Sequence, residues 1–163
     1  MLNQNHSKNP FQDRVRVRVC GILQENGKIL LLKHNSIGPA GYLWSPPGGG
    51  VEFGEHITET LKKEFAEETN LHVEVGEYLF TNEYIGGNHH AIELFFEVKR
   101  PSGNLKLGSD PELSAEKQIL TEVRFFSAED LASLPENAIH NAFNAAGARD
   151  KITELRGLIT FKH

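Results

Sequence analysis

Val15, Val17 and Val19 alternate with Arg14, Arg16 and Arg18, and that period of two predicts a strand. A second apolar run, Ile29–Leu32, follows across Glu25-Asn26-Gly27-Lys28, and Asn-Gly between two such runs is a strong hairpin signal. The period then changes. With Glu64 at zero and about 100° per residue, Ile57, Leu61 and Phe65 fall near 20°, 60° and 100°, one apolar face of a helix. Beyond it, Val73–Ile85 and Ala91–Lys99 read as two strands joined through Gly86-Gly87-Asn88. Residues 100–118 are polar, with Pro101, Gly103, Gly108 and Pro111, and Val123–Phe126 is a further short strand. Ser127-Ala128-Glu129-Asp130 has the form of a helix start, with Ser127 as N-cap. A last helical segment is expected over about 137–147, beyond Pro135. Residues 1–12 are polar and expected to be flexible, leaving 13–163 as a single domain. Strands first, one helix in the middle and helices at the end predict an α/β fold with a mixed sheet between helical layers.

The middle helix carries more than a packing face. Glu68 falls at about 40° on the same wheel, inside the apolar arc, with Glu64 and Glu67 at its margins. Carboxylates that lean on a core are costly unless something cationic neutralises them. A hard divalent cation with oxygen ligands explains the pattern better than a solvated helix face. The preceding run, Trp44-Ser45-Pro46-Pro47-Gly48-Gly49-Gly50, fixes the incoming backbone and then removes three side chains. Such a segment can offer carbonyls to a metal and N–H groups to phosphate oxygens.

Joined at this spacing, loop and helix resemble the Nudix box. Gly49, Glu55, Glu64, Phe65, Glu67, Glu68 and Leu71 stand in its register. Lys63 replaces the family's Arg and Asn70 its Gly. Asn tolerates the left-handed conformation that ends a helix, so the second change is mild. Lys63 keeps the charge but loses the planar fork of Arg, which implies a looser site or a shifted substrate range. The resemblance implies the family's α/β/α sandwich with a mixed β-sheet. It also implies a pyrophosphohydrolase that uses Mg²⁺, or Mn²⁺ in its place, on a nucleoside diphosphate linked to another group: a nucleotide sugar, ADP-ribose or a nucleoside triphosphate.

By the same resemblance, Glu67 and Glu68 are the principal metal ligands, with the Gly48 carbonyl a third. Glu64 is either general base or a further ligand. Gly49 and Gly50 serve the phosphates, and Glu55 braces the loop through Lys63, although a place in the helix's first turn explains Glu55 as well. A further acidic ligand outside the box falls among Glu112, Glu116 and Glu122, and Glu116 is the choice here because a loop residue can reach over a sheet end. A Nudix-like sensor that binds a nucleotide without cleaving it is the alternative, kept open by Lys63.

Composition narrows the classes. The chain has 163 residues and a formal charge of −5, which argues against general nucleic-acid binding. The single cysteine, Cys20, lies in an apolar strand and reads as a buried thiol in a reducing, cytoplasmic setting. No apolar run has the length of a membrane span, and residues 1–10 lack the apolar core of a signal peptide. The Cys and His spacing fits no zinc site. A homodimer stays open, dimers being common in the family. Arg14, Arg16 and Arg18 read as a solvated strand face before a phosphate-binding one, and His89-His90 as an exposed loop pair. Trp44 is expected in the core, and Tyr78, Phe80 and Tyr84 on a shared face of their strand.

Overall fold

Asn26 and Gly27, at φ 51° and 74°, close the first hairpin of the computed structural model, which describes residues 14–162 apart from 110, 112 and 148. The expected flexible segment 1–12 lies outside the described residues. The strands flanking the hairpin are β1 (Val15–Glu25) and β2 (Lys28–Asn35). Two short strands follow, β3 (Tyr42–Ser45) and β4 (Gly48–Gly50), where a loop was expected. Helix α1 (Ile57–Thr69) leads to a long hairpin of β5 (Leu71–Gly86) and β6 (His89–Gly103). Then come β7 (Leu120–Phe126), α2 (Ala128–Ser133), α3 (Ala142–Ala145) and β8 (Gly157–Lys162).

The strands join in one mixed sheet, ordered β3-β2-β1-β6-β5-β8, with β4 added to β1 and β7 to β2. β1 pairs in parallel with β6 and antiparallel with β4 and β2, so it is the strand on which the sheet turns. Layers form on both faces. On one, Leu61 and Phe65 of α1 pack with Val19, Leu23, Leu30, Leu71, Val73 and Val98. On the other, Cys20, Ile22, Phe80, Phe95 and Phe126 pack beneath Leu131, Ala142, Phe143 and Ile152. This is the α/β/α arrangement the sequence predicts. Trp44 lies in the second core, edge-on to Phe126 with ring centroids 4.6 Å apart. Ser127 caps α2 as expected: its hydroxyl accepts from the Asp130 N–H at 3.1 Å, and the Asp130 carboxylate accepts from the Ser127 N–H at 3.0 Å.

Three expectations are corrected. The helical segment expected over 137–147 is instead a 3-10 turn at Glu136–Ala138 and the four residues of α3. A further 3-10 stretch, Arg149–Glu154, and the edge strand β8 follow, and neither was anticipated. Tyr78 and Phe80 do not share a face, because register shifts on either side of Tyr78 turn it against Phe96, while Phe80 stacks on Phe95. The alternation of β1 is also reversed in its exposure. Val15 and Val17 are 56% and 43% exposed, while Arg16 and Arg18 are half-buried.

Gly21 sets how closely α1 approaches the sheet. A Cβ there would stand 2.6 Å from Phe65 Cε2 and 3.0 Å from Val98 Cγ1. Phe65 is fully buried and has no room to retreat. Gly21→Ala is therefore expected to cost about 1–3 kcal/mol by overpacking. Urea unfolding measures it, and an unchanged midpoint would show that α1 rides higher than the packing implies.

Candidate active site

The glycine strand and the helix meet through their backbones and carboxylates. Val19, on β1, pairs with Gly49 of β4, flanked by Arg18 with Gly50 and Cys20 with Gly48. The Gly48 N–H is donated to Glu68 Oε2 at 3.1 Å. Glu68 is only 6% exposed, as its place inside the apolar arc requires. A Cβ on Gly49 would collide with the Glu64 carboxylate, and one on Gly48 would collide with the Val19 carbonyl oxygen. These two positions exclude side chains because β4 is squeezed between β1 and the glutamates. Gly50 has Arg16 beside it, with a guanidinium nitrogen 3.2 Å from where a Cβ would stand.

Both ends of α1 are tied down. At its start His56 is the N-cap residue, and Glu55 lies just outside the helix. The Thr60 hydroxyl lies 2.9 Å from Glu55 Oε2 and 3.3 Å from the His56 carbonyl, and Lys63 Nζ is 3.8 Å from Glu55 Oε1. Glu55 thus braces the turn before the helix. At the other end Asn70 adopts the left-handed conformation, φ 58°, and its N–H is donated to the Ala66 carbonyl. The carbonyls of Glu67, Glu68 and Thr69 accept from the N–H groups of Ser109, Gly108 and Lys106, at 3.3, 2.8 and 3.0 Å. A segment beyond β6 therefore satisfies the acceptors that a helix C-terminus leaves open. It holds the turn that carries Glu67 and Glu68.

A charged network outside the box joins this cluster. Arg18 Nε is 3.4 Å from Glu93 Oε1, on the paired position of β6. Glu93 Oε2 lies 3.0 Å from His140 Nε2 and accepts from Asn82 Nδ2 at 2.7 Å. Burial opposes the charge on Arg18, but Cys20 and the carboxylates of Glu93, Glu68 and Glu64 hold it firmly protonated. Burial alone would raise the Glu93 carboxyl; His140, Arg18 and Asn82 outweigh it and bring it down to about 2. Burial and then Arg18 lower His34, within 3.3 Å of the Ser45 hydroxyl, to about 4. Arg18 is thus no part of a solvated face: it stands between two groups of acids.

Glu116 lies exposed on the one-turn 3-10 helix Ala115–Lys117. Glu122 is 3.6 Å from Arg124, and Glu112 lies outside the described residues. His90 faces Glu83 at 3.1 Å and His89 is exposed. Among the described residues, no three His, Cys, Asp or Glu side chains converge into a finished metal cluster. The donors α1 and β4 bring together are carboxylate and backbone oxygens, the set a hard divalent cation takes. Sequence reading missed Asn82, Glu93, His34 and His140. For Glu93 a signal existed, since it is the one acid within the apolar run Ala91–Phe96.

Two measurements test this geometry. Folding holds His34 at about 4 against an ordinary 6.5, so its stabilising contribution is complete above 6.5 and lost on descent towards 4. Glu93, at about 2 against 4.5, contributes above 4.5 and loses that contribution on descent towards 2. The urea midpoint is expected to fall steadily on acidification through both windows, and His34→Gln to flatten the upper one. A wild-type midpoint constant from pH 6.5 to 4 would contradict the His34 environment. Separately, Gly49→Ala is expected to displace the Glu64 carboxylate and lower turnover by about ten- to a hundredfold, the scale for lost support of a metal ligand. Full activity in that variant would remove Glu64 from the chemistry.

Comparison with known proteins gives the same outline. The family model for the NUDIX domain matches residues 12–146. An ADP-ribose pyrophosphatase of Methanocaldococcus jannaschii is 33% identical over 124 residues, 75% of this chain, and the chain covers 66% of that relative's length. The nucleoside triphosphatase NudI of Escherichia coli (strain SE11) is 28% identical over 156 residues, 90% of this chain and 99% of NudI. The crystal structure of a MutT NUDIX hydrolase from Burkholderia pseudomallei superposes with a TM-score of 0.66 at 22% identity, over 82% of this chain and 96% of that one, a likeness of fold. With the box in place on α1 and the domain model spanning most of its length, the chain belongs to the Nudix family of pyrophosphohydrolases.

Proposed function

We propose that this protein hydrolyses the phosphoric anhydride of a small nucleotide, either a nucleoside diphosphate linked to a second group or a nucleoside triphosphate. Glu67 and Glu68 hold a divalent cation, Mg²⁺ or Mn²⁺, with Glu64 and the Gly48 carbonyl beside them and Glu116 as the outside ligand. When bound, that ion supplies charge neutralisation at the phosphates and acidifies water. The chain's own residues do the rest. The Gly48 N–H fixes the Glu68 carboxylate in one orientation. Glu64, lodged against Gly49, takes a proton from the attacking water if it is not itself a ligand. Arg18 and Arg16 meet phosphate charge from the β1 side. Water adds to one phosphorus, the bridging P–O bond breaks, and the second phosphate leaves with the electron pair.

The observation that carries this reading is the 6%-exposed Glu68 carboxylate, turned onto the glycine strand by a backbone N–H and within the electrostatic field of Arg18. A buried acid so placed is a poor choice for packing and a good one for a metal ligand. The relatives' names divide between ADP-ribose and nucleoside triphosphates, so both classes belong in the substrate set. No described helix is long and apolar enough to cross a membrane, and the buried thiol of Cys20 fits a reducing cytoplasm.

The test incubates wild type, Glu67→Gln and Glu68→Gln with Mg²⁺ and a panel of ADP-ribose, nucleotide sugars, dinucleoside polyphosphates and nucleoside triphosphates. Products are read by mass spectrometry. Wild type is expected to release a nucleoside monophosphate, and each variant to lose at least about a hundredfold in rate, since loss of a mere supporting partner already costs 10–100-fold. Bound but intact nucleotide across the whole panel would convert the enzyme into a sensor.

A further inference from the structure

We infer that residues 104–109 form a strap that positions Glu67 and Glu68 for the divalent cation, with Gly108 as its positioning residue, and that strap docking and cation binding support one another. The inference rests on the proposed metal-dependent reading and names what keeps that site in register.

Helix α1 ends in an unfavourable way. Glu67 and Glu68 stand in its last turn, which holds no basic residue. Acids there meet the negative end of the helix dipole, and the last carbonyls lack partners within the helix. Both faults favour fraying of the turn that carries the two candidate ligands. The strap supplies the missing donors. The N–H groups of Lys106, Gly108 and Ser109 are donated to the carbonyls of Thr69, Glu68 and Glu67 at 3.0, 2.8 and 3.3 Å. Asn70 Nδ2 donates to the Asn104 carbonyl at 3.0 Å, and Leu105 packs against the core that α1 covers.

Two glycines let the strap come this close. At Gly103, where φ is 100°, a Cβ would stand 2.6 Å from the Asn70 carbonyl oxygen. At Gly108 a Cβ would collide with the Glu67 carbonyl oxygen and stand 2.8 Å from its carbon and 3.0 Å from that of Glu68. The backbone of Gly108 lies outside the left-handed region, so space alone makes the demand there. The atoms it meets are backbone and have no rotamer by which to move aside. Helical side chains lean toward the start of their helix. The Glu68 carboxylate accordingly lies against Gly48, while the strap grips its main chain from the other end. Neutralising the two acids relieves their conflict with the helix dipole and steadies the carbonyls that the strap binds. Strap docking and cation uptake are therefore linked, and linkage is reciprocal.

Two measurements on the full chain test this. Mn²⁺ binding is read by electron paramagnetic resonance for wild type, Gly108→Ala, Ser109→Pro and Ser127→Ala. Gly108→Ala is expected to weaken Mn²⁺ binding by about tenfold, the low end of the scale for lost support of a metal ligand. Ser109→Pro deletes one donor without adding bulk at Gly108, and is expected to weaken binding in the same direction. Ser127→Ala removes the cap of α2 and destabilises the fold elsewhere, so Mn²⁺ binding should stay within about twofold of wild type. Amide exchange needs no variant: saturating Mg²⁺ is expected to slow exchange of the Gly108 and Ser109 amides of wild type by about tenfold. Equal Mn²⁺ affinity in Gly108→Ala and wild type, or amides indifferent to Mg²⁺, would overturn the coupling and leave the strap a stability element only. If Gly108→Ala does not fold, Ser109→Pro and amide exchange decide. The two readings fail separately. No Mn²⁺ uptake by wild type removes the metal reading and the strap's role with it. Uptake weakened in Gly108→Ala, with no turnover of any anhydride, keeps the strap and removes the hydrolase.

Discussion

Helix α1 must seat an apolar stripe on the sheet and at the same time hold an acid inside that stripe, and the rest of the site follows from how both demands are met. Burying Leu61 and Phe65 contributes about 1.5–3 kcal/mol each, which fixes the rotation of the helix. That rotation carries Glu68 into the interface, where a carboxylate without a partner would be costly. A partner is the Gly48 N–H, and the neighbouring Gly49 has no side chain to push Glu64 and its helix away. Of the three glycines, Gly49 is the one that α1 requires, since a Cβ there would meet Glu64, while Gly48 is required by the backbone of β1. Gly21 does the equivalent on the strand beneath Phe65.

Charge is organised around the same strand. β1 lies under β4 on one edge and beside β6 on the other, so one side chain of β1 can address acids from two elements. Arg18 does this, with Glu64 and Glu68 in its field on one side and Glu93 in contact on the other. Glu93 stays ionised despite its burial because His140, Arg18 and Asn82 all favour the charged form. Arg18 is thus anchored by a carboxylate that belongs to the sheet. A cation arriving at α1 would change its surroundings on one side only.

What could be read in the sequence divides along the range of the interactions. The helix, its three glutamates and its left-handed end at Asn70 depend on neighbours within a few turns, and the 3.6-residue period with its spacing displayed them. The strand period of β1 was equally plain. Which face of β1 would be buried was not, since that depends on β6 pairing in parallel from far along the chain and on Glu93 arriving opposite Arg18. Tyr78 was misplaced because local register shifts, invisible to a period-two pattern, turn it over. Beyond Pro135 the sequence predicts a helical segment over about 137–147. Its short turns are held instead by tertiary contacts: the Arg149 guanidinium donates to the Leu131 and Leu134 carbonyls at 2.7 Å each, and the His140 N–H to the Trp44 carbonyl at 2.8 Å. Asn82, Glu93 and His140 come from three separate stretches, and only the folded sheet makes them one network.

Lys63, the departure from the box that first raised the question of a weakened enzyme, has a smaller structural consequence than the motif suggests. A fork from Arg would clamp its carboxylate through two short bonds. Here the ammonium stays 3.8 Å from Glu55, with both side chains well exposed, a geometry that contributes little. Glu55 is nevertheless held, because Thr60 reaches it at 2.9 Å from a fully buried position one helical turn away from Lys63. The brace between loop and helix has passed from a cation to a hydroxyl that cannot swing into solvent. The loop's anchorage therefore survives the loss of the guanidinium, and with it the placement of Gly48 and Gly49 against Glu68 and Glu64. The placement of the α1 glutamates therefore does not depend on a guanidinium at position 63.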